Sequence, residues 1–299
     1  MKLNCKELQN NKRVFIILLF SFSYYSFGQK IIIDNQNSFP IEISYLKNSD
    51  IVKNNEKKIV QSKFEISEIN ILKENINGEI NIPLFLRTDE TLSITVNQNN
   101  IKFGGNKDSI HSYLFNTLKN DLFINIGNYQ KSYRKDDVNT FIRLSEITKS
   151  NIISKIQKYN TTTSVIDDAY LKKIERYIIR QWLYSIFINL DSTNNRNTEN
   201  KILQYYFNNY IKKDITHYSC ESYWDYEIIR KFAKHSKELR LSLTKYNIVE
   251  KSDEDDINQF MNKSCQKFYF QSRYNYLNHI KDPKAEFYRT ILKEKFNND

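Results

Sequence analysis

A chain of 299 residues with 45 Lys plus Arg against 35 Asp plus Glu carries a formal charge of +10; 40% of it is hydrophobic and 14% aromatic. Only 5 glycines and 3 prolines are present, which excludes collagen, Gly/Ser linkers and proline-rich scaffolds and leaves little glycine for phosphate-cradling loops. The apolar fraction suffices for packed cores, so wholesale disorder is excluded, and the length fits two compact units.

The first residues have the order of an export signal. Lys2, Lys6, Lys12 and Arg13 precede an apolar run from Val14 to Tyr25, and Ser26 and Gly28 supply small residues before a cleavage point. Residues 1–28 are therefore expected to be a signal peptide, cut before Gln29. The apolar run is shorter than the roughly 20 residues a bilayer span needs. Cys5 lies ahead of it and so is not a lipid acceptor. The expected location is periplasmic or secreted, with membrane contact only through the signal. Cleavage removes four bases and one acid, lowering the charge from +10 to +7. The remaining bases are interspersed with acids, which together with export argues against a nucleic-acid partner and leaves weak attraction to anionic envelope polymers open.

Residues 30–105 have strand character. Lys30–Asp34, Ile41–Leu46, Lys63–Ile69, Glu79–Arg87, Thr91–Val96 and Ile101–Phe103 are short β-branched or alternating runs separated by Asn, Asp and Ser clusters. Thr91 to Val96 alternates apolar residues with hydroxyls, the period of a half-buried strand. Pro83 confines Glu79–Arg87 to an edge or a bulge. The expected unit is a small antiparallel β-sandwich-like domain.

At Gly104-Gly105-Asn106 the period changes, and 106–299 reads as an α-helical bundle domain. Helices are expected over Ser109–Leu122, Asp136–Tyr159, from a capping-box word at Ser164–Asp167 to Leu190, and over Glu199–Lys213 and Tyr223–His235. A further helix starts at Ser252 with the stripe Ile257, Phe260, Met261, Ser264, Cys265 and Phe268, and runs toward Pro283. The last covers Ala285–Lys295. The segment from Tyr177 to Leu190 is the most apolar of these, but Arg180 and Gln181 interrupt it. The fold class is α+β.

No catalytic motif, cofactor fingerprint or metal motif is found. The word Gly-x-Ser-x-Gly, a Walker loop and a dinucleotide fingerprint are all absent. The histidines, His111, His217, His235 and His279, lack a close metal spacing; His217, Cys220 and Glu221 make only a thin three-ligand set. Asp253 to Asp256 lacks the spacing and central glycine of a calcium loop and fits a helix start. Acid pairs such as Asp167-Asp168 are unremarkable. The aromatic clusters Tyr205-Tyr206-Phe207 and Phe268-Tyr269-Phe270 have spacing suited to core packing, although such rings can also stack on sugars or bases. Beyond the leader, Cys220 and Cys265 remain. They could pair in an oxidising compartment or stay as two buried thiols on separate helices, and sequence leaves both open.

One stretch carries a resemblance. Ile82 to Val96 (IPLFLRTDETLSITV), then Ile101–Gly105, then Ser112-Tyr113-Leu114 is similar to the N-terminal, non-catalytic region of exported TlpA-type thioredoxin-like thiol-disulfide proteins of Bacteroidota. There a strand of the type LFLxPGDxLxIxxD is followed by FxGxxAxxNxYL and a helical region. The resemblance is clearest from Phe64 to Leu118; Asp168-Ala169-Tyr170-Leu171 continues it into the helices. Thr88-Asp89-Glu90 replaces Pro-Gly-Asp, and His111 stands near the position of the Asn. The Trp-Cys-x-x-Cys domain is missing, and the chain reaches Asp299 about where it would begin. The resemblance thus implies a β-domain followed by helices and carries over no catalytic residue. The expected role is a non-enzymatic envelope module that binds an envelope protein or ligand. The alternative is an enzyme of unrecognised type with its site at the β-domain/helical-domain junction, which a cleft holding a histidine beside a carboxylate there would favour.

Overall fold

A computed structural model describes residues 28–46, 48–73, 79–163, 168–188, 190, 196–215, 218–241 and 252–296. The expected leader and the capping word at Ser164–Asp167 lie outside the described residues. The chain is α+β: two small, mostly antiparallel sheets followed by helices.

The strands are β1 (Gln29–Asn35), β2 (Ile41–Tyr45), β3 (Asn48–Val52), β4 (Glu56–Ser62), β5 (Glu68–Lys73), β6 (Glu79–Pro83), β7 (Thr91–Val96) and β8 (Ile101–Gly105). One sheet has the order β4-β1-β7-β8 and the other β3-β2-β5-β6. Alternation decides which residues face inward. In β1 the residues Ile31 and Ile33 are buried, and in β7 Leu92, Ile94 and Val96 are. They join Ile41, Ile43, Ile69 and Ile71 of the second sheet in one apolar cluster. Two corrections to the sequence reading follow. First, β1 and β7 pair in parallel, with Ile31 opposite Leu92 and Ile33 opposite Ile94. The 55 residues between them, carrying the whole second sheet, supply the long crossover a parallel pair requires. Second, most of Lys63–Ile69 is the connection between β4 and β5, and β3 and β4 carry no clean alternation because each buries a single residue, Val52 or Val60, and exposes Ile51 or Ile59 among polar ones. Pro83 does end an edge strand, where a missing N–H costs no ladder bond.

Polar side chains hold the ends of β1. Gln29 is buried; its Nε2 donates to the Leu86 carbonyl at 2.5 Å and its Oε1 accepts from Ile66 N–H at 2.6 Å. At the other end Asn35 Nδ2 donates to the carbonyls of Phe39, Val52 and Lys53.

The helices are α1 (Asp108–Asn116), α2 (Leu118–Phe123), α3 (Ile126–Arg134), α4 (Val138–Thr163), α5 (Asp168–Phe187), α6 (Arg196–Tyr206) with a π-helical turn Phe207–Ile211, α7 (Tyr223–Lys234), α8 (Asp253–Asn258), α9 (Lys263–His279) and α10 (Ala285–Phe296). The single helix expected from Ser252 is broken at Gln259–Asn262, because Asn262 caps α9 by accepting from the Cys265 N–H. The chain divides into two compact units, one comprising 1–118 and 158–170, the other 119–157 and 171–299. The first unit therefore passes the expected boundary at 105. Its physical reason is α1, which buries Ile110, His111, Tyr113 and Leu114 and carries Phe115 against the β core. Among the described residues no helix is long and apolar enough to cross a membrane.

Gly105 has φ +94°, and a Cβ there would meet the Thr91 carbonyl oxygen at 2.6 Å, whereas at Gly127, in α3, a Cβ meets nothing within 4 Å. Gly105→Ala should lower stability by about 1–3 kcal/mol, and Gly127→Ala should be neutral or raise it by about 0.5 kcal/mol. Urea denaturation of the two variants checks this; equal effects would contradict the geometry.

Candidate functional site

Among the described residues, chemistry-bearing side chains gather in four clusters.

In the first unit, Lys107 precedes α1 in a left-handed conformation and its ammonium is buried. The Nζ lies 2.5 Å from Glu90 Oε2, donates to the Phe85 carbonyl at 3.1 Å and stands 4.6 Å from the Tyr170 ring centroid. Glu90 Oε2 also accepts from the Arg87 N–H. One turn on, His111 faces its own helix start: Nδ1 lies 2.8 Å from the Lys107 carbonyl, and Nε2 accepts from the Phe85 N–H at 3.2 Å. A neutral imidazole protonated at Nδ1 satisfies both. Burial first, and then the Lys107 charge, push His111 down to about 4, against the opposing Lys107 backbone bond. Here is a histidine near a carboxylate at the end of the strands, but both of its nitrogens are spent on backbone groups and the Lys107 ammonium is paired with Glu90. The cluster fastens α1 to the 84–90 loop and leaves no group to move a proton.

In the helical unit, Glu199 of α6 accepts from Lys231 of α7 at 2.6 Å and lies 3.3 Å from His235 Nε2; all three are buried. His235 Nδ1 is 3.0 Å from Asn200 Oδ1. Burial raises the Glu199 pKa, but the adjacent His235 and Lys231 outweigh it and leave the carboxyl below its ordinary value. This group clamps α6 to α7.

Cys220 and Cys265 are joined by a disulfide, with Cα atoms 4.7 Å apart, inside the range a bridge requires. Cys220 lies in the extended segment before α7 and Cys265 in the first turn of α9. Beside the bridge, Arg180 of α5 pairs with Asp225 at 2.6 Å and lies 3.7 Å from the Tyr218 ring centroid. Asp225 completes a capping box with Ser222 at the start of α7. Burial raises the Asp225 pKa, with Arg180 and the N–H groups of Glu221 and Ser222 pulling the other way. Of the thin zinc set, His217 lies outside the described residues and Glu221 is exposed. Asp255 caps α8 together with Ser252 and accepts from the Tyr269 hydroxyl. Among the described residues no group of three His, Cys, Asp or Glu side chains is placed to hold a metal ion.

The fourth cluster is partly exposed to solvent. Glu146 and Lys149, one turn apart on α4, have side chains 25% and 19% exposed. Glu146 accepts from Lys149 Nζ at 2.6 Å, from the Tyr210 hydroxyl at 2.7 Å and from the Tyr205 hydroxyl at 3.2 Å. Lys149 also donates to the Tyr210 oxygen and lies 5.2 Å from the Trp182 ring centroid. Burial and the Glu146 carboxylate both raise the Tyr205 and Tyr210 pKa values, so these phenols stay protonated donors. The rings are rigidly backed. Trp182 is fully buried, donates Nε1–H to the Ser145 carbonyl at 3.0 Å and meets Tyr206 and Tyr210 edge-on at 5.4 and 5.1 Å. Two phenols five residues apart reach one carboxylate because the chain makes a π turn after Tyr206, closed by the Lys212 N–H to the Phe207 carbonyl. In an α-helix those positions diverge by about 140°. The sequence word Tyr205-Tyr206-Phe207 marked the place, while Glu146, Lys149 and Tyr210 carried no signal of their own. Chemically the cluster offers a hydrogen-bonding carboxylate beside an ammonium and phenol rings, a surface for hydroxyl-bearing ligands.

Comparison with family models, curated proteins and solved structures finds no match for this chain.

A buried histidine held neutral makes stability depend on pH. Below its ordinary value of 6.5 the unfolded chain takes up a proton that the folded chain refuses until about 4, so the contribution of His111 to stability falls as pH drops through that window, by about 3 kcal/mol in all, and is constant above it. His111→Leu should be less stable at pH 7 by about 1–3 kcal/mol and should lose this part of the slope. Denaturant titrations across the window test it; parallel slopes for both proteins would contradict the assignment.

Proposed function

We propose that the chain is an exported, non-catalytic module of the cell envelope that binds a partner or ligand, similar in role to the N-terminal region of the thioredoxin-like proteins its strand words resemble. In this reading the two sheets form a sandwich and the helices a bundle. The observation that carries it is the Cys220–Cys265 bridge. Disulfides persist in oxidising compartments and are rare in the cytosol, which supports export. The bridge uses both cysteines that follow the leader, and at 7% and 0% exposure neither sulfur is presented to a substrate. Reactive cysteines need partly exposed, electropositive surroundings, so the bridge acts as a staple. His111, Glu199 and Asp225 are likewise held in internal pairs. Of the four clusters among the described residues, Glu146, Lys149, Tyr205 and Tyr210 form the most exposed, which suits binding.

Protein secreted with its own leader, then denatured without reductant, is expected to begin at Gln29, to give no reactive thiol and, before denaturation, to show no turnover in reduction of insulin disulfides. Two thiols per chain, or turnover lost in Cys220→Ser, would contradict the proposal.

A further inference from the structure

The two units differ in charge. From Gln29 onward the first unit has 11 bases against 13 acids, a net of −2, while the helical unit has 30 against 21, a net of +9. The positive charge of the exported chain thus resides in the helices. Part of it lies beside the partly exposed aromatic cluster. Helices α5 and α6 run antiparallel there: Trp182 meets Tyr206 and Tyr210, and Arg176, six residues earlier, lies 4.0 Å from Asp214, just past the π turn. Lys172, Lys173 and Arg176 on α5 and Lys212 and Lys213 after the π turn are all exposed. From Trp182 back to Lys172 the helix covers about 15 Å. A strip therefore starts at the Lys149–Tyr210 cluster and continues over five cations.

Resting on the binding-module reading, we propose that this strip binds an acidic polysaccharide, a chain of pyranoses carrying carboxylates. Each part of the strip matches a part of that ligand. The half-exposed Tyr205 ring, and the face of the Tyr210 ring away from the Lys149 ammonium that lies 4.6 Å from its centroid, offer apolar surface to the C–H faces of a sugar. Glu146 accepts from hydroxyls, as it already does from two phenols. The five cations meet the carboxylates and draw the polymer in over distances of about a Debye length. Glu146 and Asp214 also select against alternatives. Both lie in the strip, and both repel a densely charged phosphate array such as a nucleic-acid backbone or an anionic bilayer. A polyuronate also carries one carboxylate on each sugar, but each sugar presents free hydroxyls from which Glu146 can accept, and a DNA backbone offers none.

The test uses the full exported chain, with polygalacturonate as the probe and neutral dextran, vesicles rich in phosphatidylglycerol and single-stranded DNA as comparators. Wild type should bind polygalacturonate most tightly, with affinity that falls as salt rises. Replacing Lys172, Lys173, Arg176, Lys212 and Lys213 by Gln should weaken binding by about ten-fold or more. Replacing Lys267, Lys281, Lys284, Arg289 and Lys293 by Gln removes the same charge elsewhere in the unit and should change it less than about two-fold. Circular dichroism confirms that each variant is folded. Equal losses in the two variants, no binding of polygalacturonate, or tighter binding of vesicles or DNA would overturn the inference while leaving the module non-catalytic. New reducing ends released from the bound polymer would instead overturn the non-catalytic reading and keep the ligand class.

Discussion

The covalent bond between Cys220 and Cys265 fixes an extended segment, Tyr218 to Glu221, against the first turn of α9, and much of the helical unit is referred to that point. Asn262, the cap of α9, donates to the Tyr218 carbonyl, and the Ser264 hydroxyl accepts from the Cys220 N–H. Tyr218 lies under the Arg180 guanidinium, and Arg180 reaches Asp225 in the first turn of α7. From α7, Tyr226 hydrogen-bonds to Asn258 at the end of α8, and Asp255 of α8 accepts from Tyr269 of α9. Four helices are thus linked through one node. Without the bridge, a buried ion pair and several buried hydroxyls would have to hold a coil segment by themselves. Buried ion pairs are poor at that task, because desolvation cancels much of their attraction.

The interior is crowded with aromatic rings and paired charges. Trp182, Tyr206, Phe187 and Phe232 form one run of edge-on contacts, and Tyr226, Tyr269, Phe270 and Tyr288 form a second run of stacked, edge-on and tilted contacts. Such residues bring hydroxyls and indole N–H groups inside, and each must find an acceptor. Ser145 illustrates the solution, since its carbonyl takes the Trp182 N–H and its hydroxyl meets that of Tyr206. The same demand explains why Glu90, His111, Glu199 and Asp225 are consumed where they stand. A polar group at the surface of this protein is in a different position. Glu146 and Lys149 satisfy each other and still face water, so a ligand can exchange with part of their network without leaving a buried charge unpaired.

Strands with clean alternation were legible: Thr91–Val96 is a strand over the same residues. Period alone cannot show direction, so the parallel pairing of β1 with β7 had no sequence signal. The edge strands β3 and β4 each bury one residue and so show no alternation, and α3, with Tyr129 and Tyr133 among polar neighbours, shows too narrow a stripe for a similar reason. The stripe from Ile257 to Phe268 did include buried residues, but Asn262 turned one expected helix into two. At the candidate site the aromatic word was visible and the carboxylate was not. Glu146 and Tyr210 are 64 residues apart, and their meeting depends on a π turn that composition does not announce. The pairing of Cys220 with Cys265 was open for an equally physical reason. Spacing says nothing about whether two Cα atoms come within reach.

The central claim is that this bridge is a structural staple, and its most direct test is the equilibrium unfolding free energy of the oxidised protein against that of Cys220→Ala/Cys265→Ala. Closing a loop of 45 residues should make the oxidised form more stable by about 4 kcal/mol, with tertiary signals of the helical unit weakened in the variant. Equal unfolding free energies and unchanged tertiary signals would contradict the account.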